Sequence, residues 1–199
     1  MKILVLASGA GSTLKNTLGY QIENKPKWSI AGLVTDNPKA LALDVARLAK
    51  IPAIIVSQKD FSSFTSWGNA LAGAIENFQP DLIFLMGFLK KIDSATVDKF
   101  KNKMVNTHPS LLPKFGGQGM YGRKVHDAVL AAREKSTGVS IHFVTDDYDT
   151  GPVLAQAEIE VADGESAAEL ESRVKALEQR VIIEFLNRCA DGPKSSLHH

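Results

Sequence analysis

Short apolar runs alternate along the chain with longer stretches in which apolar residues recur every three or four positions. Ile3 to Ala7, Ser29 to Thr35, Ile51 to Val56 and Asp81 to Met86 are the runs, read as strands, and Ile3 to Ala7, continuous with β-branched members, suits a strand buried on both faces. Between them, Leu14 to Leu18, the stretch through Ala40, Leu41, Val45 and Leu48 opened by Asp36-Asn37-Pro38, and Trp67 to Phe78 carry helical spacing. Repeated strand–helix units predict a parallel, doubly wound sheet. Met104 and Val105 then end a buried strand on which Asn106 and His108 alternate, so both polar side chains leave on one face. Pro109 and Pro113 forbid an immediate helix, and helical spacing returns from Lys124 to Glu134. Gly138 to Thr145 reads as a further strand, and Val153 to Ala157 leaves the following turn antiparallel to it. Ser166-Ala167-Ala168-Glu169 has capping-box form and opens a last helix with Leu170, Val174, Leu177, Val181 and Phe185 on one face. The expected fold is α/β, a doubly wound, mostly parallel sheet with an antiparallel strand near the C-terminal end and helices on both faces.

Composition narrows the partners more than the fold. The 199 residues are expected to form one domain over residues 1–192, with 193–199 a tail or tag remnant whose His198 and His199 carry no site argument. With 23 basic against 22 acidic side chains, the net charge of +1 gives no reason to expect nucleic acid or a membrane as partner. Any anion must be held by a local site. Cys189 is the single cysteine, and no Cys/His spacing suits a metal, so no metal and a reducing, cytoplasmic compartment are expected. The apolar start is ended by Ser8-Gly9-Ala10-Gly11 too soon for a secretory signal, and no run reaches the roughly 18 apolar residues of a membrane span.

Candidate chemistry collects where strands end, the usual ligand edge of such sheets. Ser8-Gly9-Ala10-Gly11-Ser12-Thr13 joins the first strand to a helix, so glycine backbone, hydroxyls and a helix N-terminus could cradle a phosphate; a tight structural turn explains the same residues almost as well. Leu14 replaces the third glycine of the dinucleotide fingerprint, yet Asp36 at the end of the next strand keeps a nicotinamide-binding module open as an alternative. Gly116 to Gly122 holds four glycines in seven positions and suggests a closing loop or a passive surface one. His126, at the start of the next helix, is expected to be solvated. Asp146, Asp147 and Asp149 crowd one turn, where plain solvation of a hairpin tip or metal binding would both fit, although the sequence of a calcium loop is absent. Glu178 falls inside the apolar arc of the last helix and needs a partner: Arg173, Arg180 or a ligand ammonium.

Taken together, Asn106-Thr107-His108-Pro109-Ser110-Leu111-Leu112-Pro113 and Ser140-Ile141-His142-Phe143-Val144-Thr145, followed by Asp149 and Gly151-Pro152, resemble the 10-formyltetrahydrofolate-dependent formyltransferases. Within that superfamily the resemblance is greatest to the phosphoribosylglycinamide formyltransferases and spans nearly the whole chain. It implies formyl transfer from 10-formyltetrahydrofolate, as cosubstrate, to the amine of glycinamide ribonucleotide in purine biosynthesis, by a monomer or homodimer. A sibling enzyme with another acceptor, or a formyltetrahydrofolate hydrolase, is the alternative. Carried over by residue, the resemblance implies a catalytic group of Asn106, His108 and Asp149, with Asp149 expected to favour a charged His108. It makes Gly11, Ser12 and Thr13 the phosphate site, although the family usually has Asn where Thr13 stands, and Glu178 the amine-binding carboxylate. Phe88, Leu89, Lys90, Ile92, Val144 and Asp147 become the pterin pocket, with Lys90 where Arg is common.

Overall fold

In a computed structural model, which describes residues 1–192, seven strands form one sheet. They are β1 (Lys2–Leu6), β2 (Ser29–Thr35), β3 (Ala53–Ile55), β4 (Leu82–Leu85), β5 (Met104–His108), β6 (Ser136–Phe143) and β7 (Val153–Glu160). The six α-helices are α1 (Ser12–Asn24), α2 (Ala42–Leu48), α3 (Phe64–Glu76), α4 (Ser94–Lys99), α5 (Arg123–Ala131) and α6 (Ala167–Asp191). The strand order is β3-β2-β1-β4-β5-β6-β7. β1 to β5 pair in parallel, and β6 alone runs against both of its neighbours. The winding reverses between β1 and β4, which opens a crevice at their carboxyl ends.

Period-two alternation explains the two-sided core. Ile3 and Val5 of β1 and Phe84 of β4 pack with α1, α2, α5 and α6, whereas Leu4, Leu6, Ile83 and Leu85 pack with Trp67, Leu71 and Ile75 of α3 and Val97 of α4. A strand flanked by helices on both sides has no solvent face, hence its continuous apolar sequence. Ser63 caps α3 reciprocally with Ser66, and Ser166 caps α6 with Glu169, as the sequence of that last helix predicts.

Some boundaries differ from the sequence reading. Asp36-Asn37-Pro38 does not open a helix: Asn37 forms a turn, its Oδ1 accepting from Lys39 N and its Nδ2 donating to Ser8 O, and α2 begins only at Ala42. α5 stops at Ala131 because Arg133 takes a left-handed conformation, with φ 52°. α4 and a short 3-10 helix at Gln58–Asp60 were not expected; α4 is too short for a periodic signal, although Asp93 caps it by accepting from Thr96 N. The expected tail at 193–199 lies outside the described residues.

Candidate active site

β5 carries Asn106 and His108 on one face and Thr107 on the other, and antiparallel pairing sets His142 of β6 directly beside Asn106. The chain then turns through residues 144–152 and returns Asp149, at φ 57°, to the same face. Asp149 Oδ2 lies 3.4 Å from His108 Nδ1 and accepts from Gly117 N at 2.9 Å. Asp149 Oδ1 lies 3.4 Å from both His142 Nε2 and Asn106 Nδ2. Asn106, His108 and Asp149, separate in sequence, therefore meet around one carboxylate.

The partners define the protons. His108 Nε2 donates to Phe115 O at 2.8 Å, and His142 Nδ1 donates to Phe143 O at 2.8 Å, which leaves His142 Nε2 to accept from Asn106 Nδ2 at 3.1 Å. Burial lowers the pKa of His108; the Asp149 charge and the Phe115 carbonyl oppose that shift without reversing it. Asp149 does favour the charged ring, as expected, but desolvation of a ring only 3% exposed is the larger influence, so the net shift is downward. Burial would raise the pKa of Asp149, but His142, His108 and the Gly117 amide together hold it below the usual carboxylate range.

At the end of β1, Gly11 precedes α1 at φ 70°, and a Cβ there would stand 2.7 Å from Ala42 Cα, so both conformation and space demand glycine. No side chain caps the start of α1, and the residues that open it line the crevice. Asp36 Oδ1 accepts from Ser8 Oγ, which in turn accepts from Leu89 N at 3.0 Å, tying the ends of β1, β2 and β4 together.

Glu178 of α6 is half-buried beneath this loop. Its Oε1 accepts from Thr107 Oγ1 at 3.1 Å and its Oε2 from Thr13 Oγ1 at 3.2 Å. Burial raises its pKa, against the two hydroxyls and the Lys175 charge. Neither arginine pairs with it: Arg173 binds Glu165 at 2.8 Å, and Arg180 faces Glu184 at 4.0 Å.

A cavity of about 500 Å³ joins these parts, lined by residues 9–13, Asn106, Thr107, His108, Asp149 and Glu178. The Gly117 to Gly122 stretch closes one side, with Gly117 anchored on Asp149. His126 is not solvated as expected. It is 2% exposed, lines the cavity, and its Nδ1 has no partner, because Val125, His126 and Val129 form the buried face of α5. Sequence reasoning also missed Lys175, which lines the cavity one turn before Glu178 while bonding Glu171 at 2.6 Å; its i, i+3 spacing from Glu178 was the available signal. His142 was missed as a site residue, since only strand pairing brings it to Asn106.

A smaller notch of about 50 Å³ adjoins the cluster, between Phe88, Lys90, Ile92, Val144 and Asp147, with Asn106 and Asp149 at its base. Lys91, unanticipated, spans it to Asp147 at 3.5 Å. Leu89 departs from that group: it is half exposed and lines the main cavity instead. Among the described residues no three His, Cys, Asp or Glu side chains converge in a way that could hold a metal ion.

Residues 1–186 match the formyl transferase family. The chain is 32% identical over 192 residues to the phosphoribosylglycinamide formyltransferase of Escherichia coli (strain K12), covering 96% of this chain and 88% of that protein. It is 35% identical over 186 residues to the chloroplastic enzyme of that name from Vigna unguiculata, covering 93% of this chain but only 59% of the relative's length. The solved phosphoribosylglycinamide formyltransferase of Coxiella burnetii superposes with a TM-score of 0.90 at 35% identity, over 96% of this chain and 88% of that one. A family match across nearly the whole length, on a shared fold, places this chain in the formyl transferase family, among the phosphoribosylglycinamide formyltransferases.

Proposed function

We propose that the protein transfers the formyl group of 10-formyltetrahydrofolate to the amine of glycinamide ribonucleotide. The observation that carries this reading is that one cavity holds the Asn106–His108–Asp149 cluster, the uncapped start of α1 and the half-buried carboxylate of Glu178. A substrate with a phosphate at one end and an amine at the other matches that order of groups.

The phosphate sits on the N–H groups that open α1, with Ser12 exposed beside them and Lys175 on the facing wall. Glu178 receives the amine and draws it toward the cluster. Phe88, Ile92 and Val144 offer apolar walls to the pterin, with Lys90 and Asp147 at the rim and Leu89 toward the ribonucleotide.

The amine nitrogen attacks the formyl carbon and makes a tetrahedral intermediate. Asn106 Nδ2 serves the oxyanion by releasing its longer contact, the 3.4 Å one to Asp149. His108 starts neutral, with its Nε2 proton committed to Phe115, so Nδ1 accepts the proton that the amine loses. The imidazolium then lies against Asp149 and supports the oxyanion electrostatically. That proton passes to the folate nitrogen as its bond to the formyl carbon breaks. One carbon–nitrogen bond forms, one breaks and one proton moves between the two nitrogens; no covalent enzyme intermediate or metal is used.

The test offers purified protein 10-formyltetrahydrofolate with glycinamide ribonucleotide, a sugar amine, methionyl-tRNA or water alone as acceptor. Formyl transfer to glycinamide ribonucleotide at a kcat/KM at least a hundredfold above the others is expected. Equal turnover with every acceptor, or none with the ribonucleotide, overturns the assignment.

A further inference from the structure

Thr13 stands between the two ends of the cavity and its functional groups are divided between them. It is the second residue of α1, so its N–H belongs to the uncapped helix start that lines the crevice. Its side chain turns the other way, and Oγ1 reaches across to Glu178 Oε2 at 3.2 Å. Thr107, from β5, holds the second oxygen at 3.1 Å. Each carboxylate oxygen thus has one hydroxyl donor, one from α1 and one from β5.

We infer that the Thr13 hydroxyl is a positioning group for the Glu178 carboxylate, and that a phosphate at the start of α1 is met by backbone N–H and Ser12 instead. The assignment of amine and phosphate to these two ends rests on the proposed function. The hydrogen-bond arrangement does not.

A hydroxyl proton can serve one acceptor at a time, and this one is directed at a carboxyl group whose pKa burial raises and the hydroxyl opposes. The groups acting on Glu178 are few: Thr13 from α1, Thr107 from β5, and the Lys175 charge one turn earlier on α6. With so few donors, losing one hydroxyl shifts the carboxylate toward its neutral form and frees its torsion angle. One residue thereby ties the phosphate end to the amine end: its amide grips the phosphate, and its hydroxyl aims the acid that receives the amine. Ser12, exposed at the cavity, remains to offer its own hydroxyl to the phosphate.

The test uses Thr13→Val, which keeps the branched shape and removes only the donor, and Thr13→Ser, which restores the donor. In the free protein, the carboxyl carbon of Glu178, assigned by its loss in Glu178→Gln, is titrated by carbon-13 NMR. Thr13→Val is expected to move the midpoint to higher pH, and Thr13→Ser to return it toward the wild-type value. Calorimetry with ribose 5-phosphate, which has the phosphate and no amine, should give affinities for wild type and Thr13→Val within about threefold. In turnover, Thr13→Val should lower kcat/KM for glycinamide ribonucleotide by about tenfold, the loss expected for one hydrogen bond to a charged group. A midpoint unmoved by Thr13→Val overturns the inference. So does a tenfold or greater loss of ribose 5-phosphate affinity in that variant, and failure of the wild type to bind ribose 5-phosphate overturns its phosphate half. Absence of formyl transfer by the wild type would refute the proposed function alone, because the NMR titration is read without substrate.

Discussion

Replacing Asp149 by Asn keeps the shape of the side chain and removes the charge on which the cluster converges. The amide oxygen can still accept from Gly117 N, now at 2.9 Å from Oδ2, so the loop anchor survives. What disappears is the counter-charge 3.4 Å from His108 Nδ1, between side chains only 4% and 9% exposed. Two unit charges at that distance attract by about 5 kcal/mol at an effective dielectric constant near 20. Part of that attraction offsets the desolvation of both groups, so the expected kinetic loss is smaller, about 3–4 kcal/mol or roughly 10² to 10³ in kcat. KM for glycinamide ribonucleotide should hold within about twofold, since Asp149 touches neither the α1 loop nor Glu178. The pH profile adds a separate readout. Asp149 raises the pKa of His108, so D149N lowers it further, and the acid limb of kcat/KM, where His108 must be neutral to accept a proton, moves to lower pH. Steady-state kinetics across pH, with an unfolding midpoint as control, decides the matter. A drop of less than tenfold in kcat, or a loss carried wholly by KM, would refute the reasoning that the carboxylate stabilises an imidazolium formed during turnover.

Other substitutions probe the remaining parts. Burial raises the Glu178 pKa, so the stability linked to its neutral form is complete at acid pH and is lost as pH rises through its folded value. Glu178→Gln stays neutral and should be more stable than wild type above that pH, converging with it in acid, while glycinamide ribonucleotide affinity falls roughly a hundredfold; denaturation across pH with calorimetry checks both, and a variant less stable at neutral pH would contradict the linkage. Gly11→Ala forces a left-handed alanine and a contact of 2.7 Å on Ala42 Cα. It should cost about 2 kcal/mol or more, lower Tm by roughly 5 °C, and abolish ribose 5-phosphate binding; wild-type Tm and affinity would show that the turn has room to adapt.

The sequence by itself determined which segments are strands and where the chain must turn. Ile3 to Leu6 and Leu82 to Leu85 are apolar at every position because both faces are covered, and Gly11 and Gly87, both at positive φ, turn the chain after them. The candidate residues were legible as types in motifs: an amide and an imidazole at a strand end, an acidic turn, a carboxylate in an apolar arc. Whether those residues meet was decided only in three dimensions. Asn106 and Asp149 are 43 positions apart, and their contact depends on β6 running antiparallel and on the exact path of residues 144–152, neither of which has a local signature. The same holds for protonation. Sequence pairing of His108 with Asp149 argues for a cation, but the burial that lowers its pKa is a property of the packed structure. His126 turned inward because α6 covers α5, and Asp36 meets Ser8 because the ends of β1 and β2 lie side by side. Glu178 was readable as a residue needing partners, yet those partners proved to be Thr13 and Thr107, 165 and 71 positions away, since desolvation and long-range contact are set by tertiary packing and not by spacing along the chain.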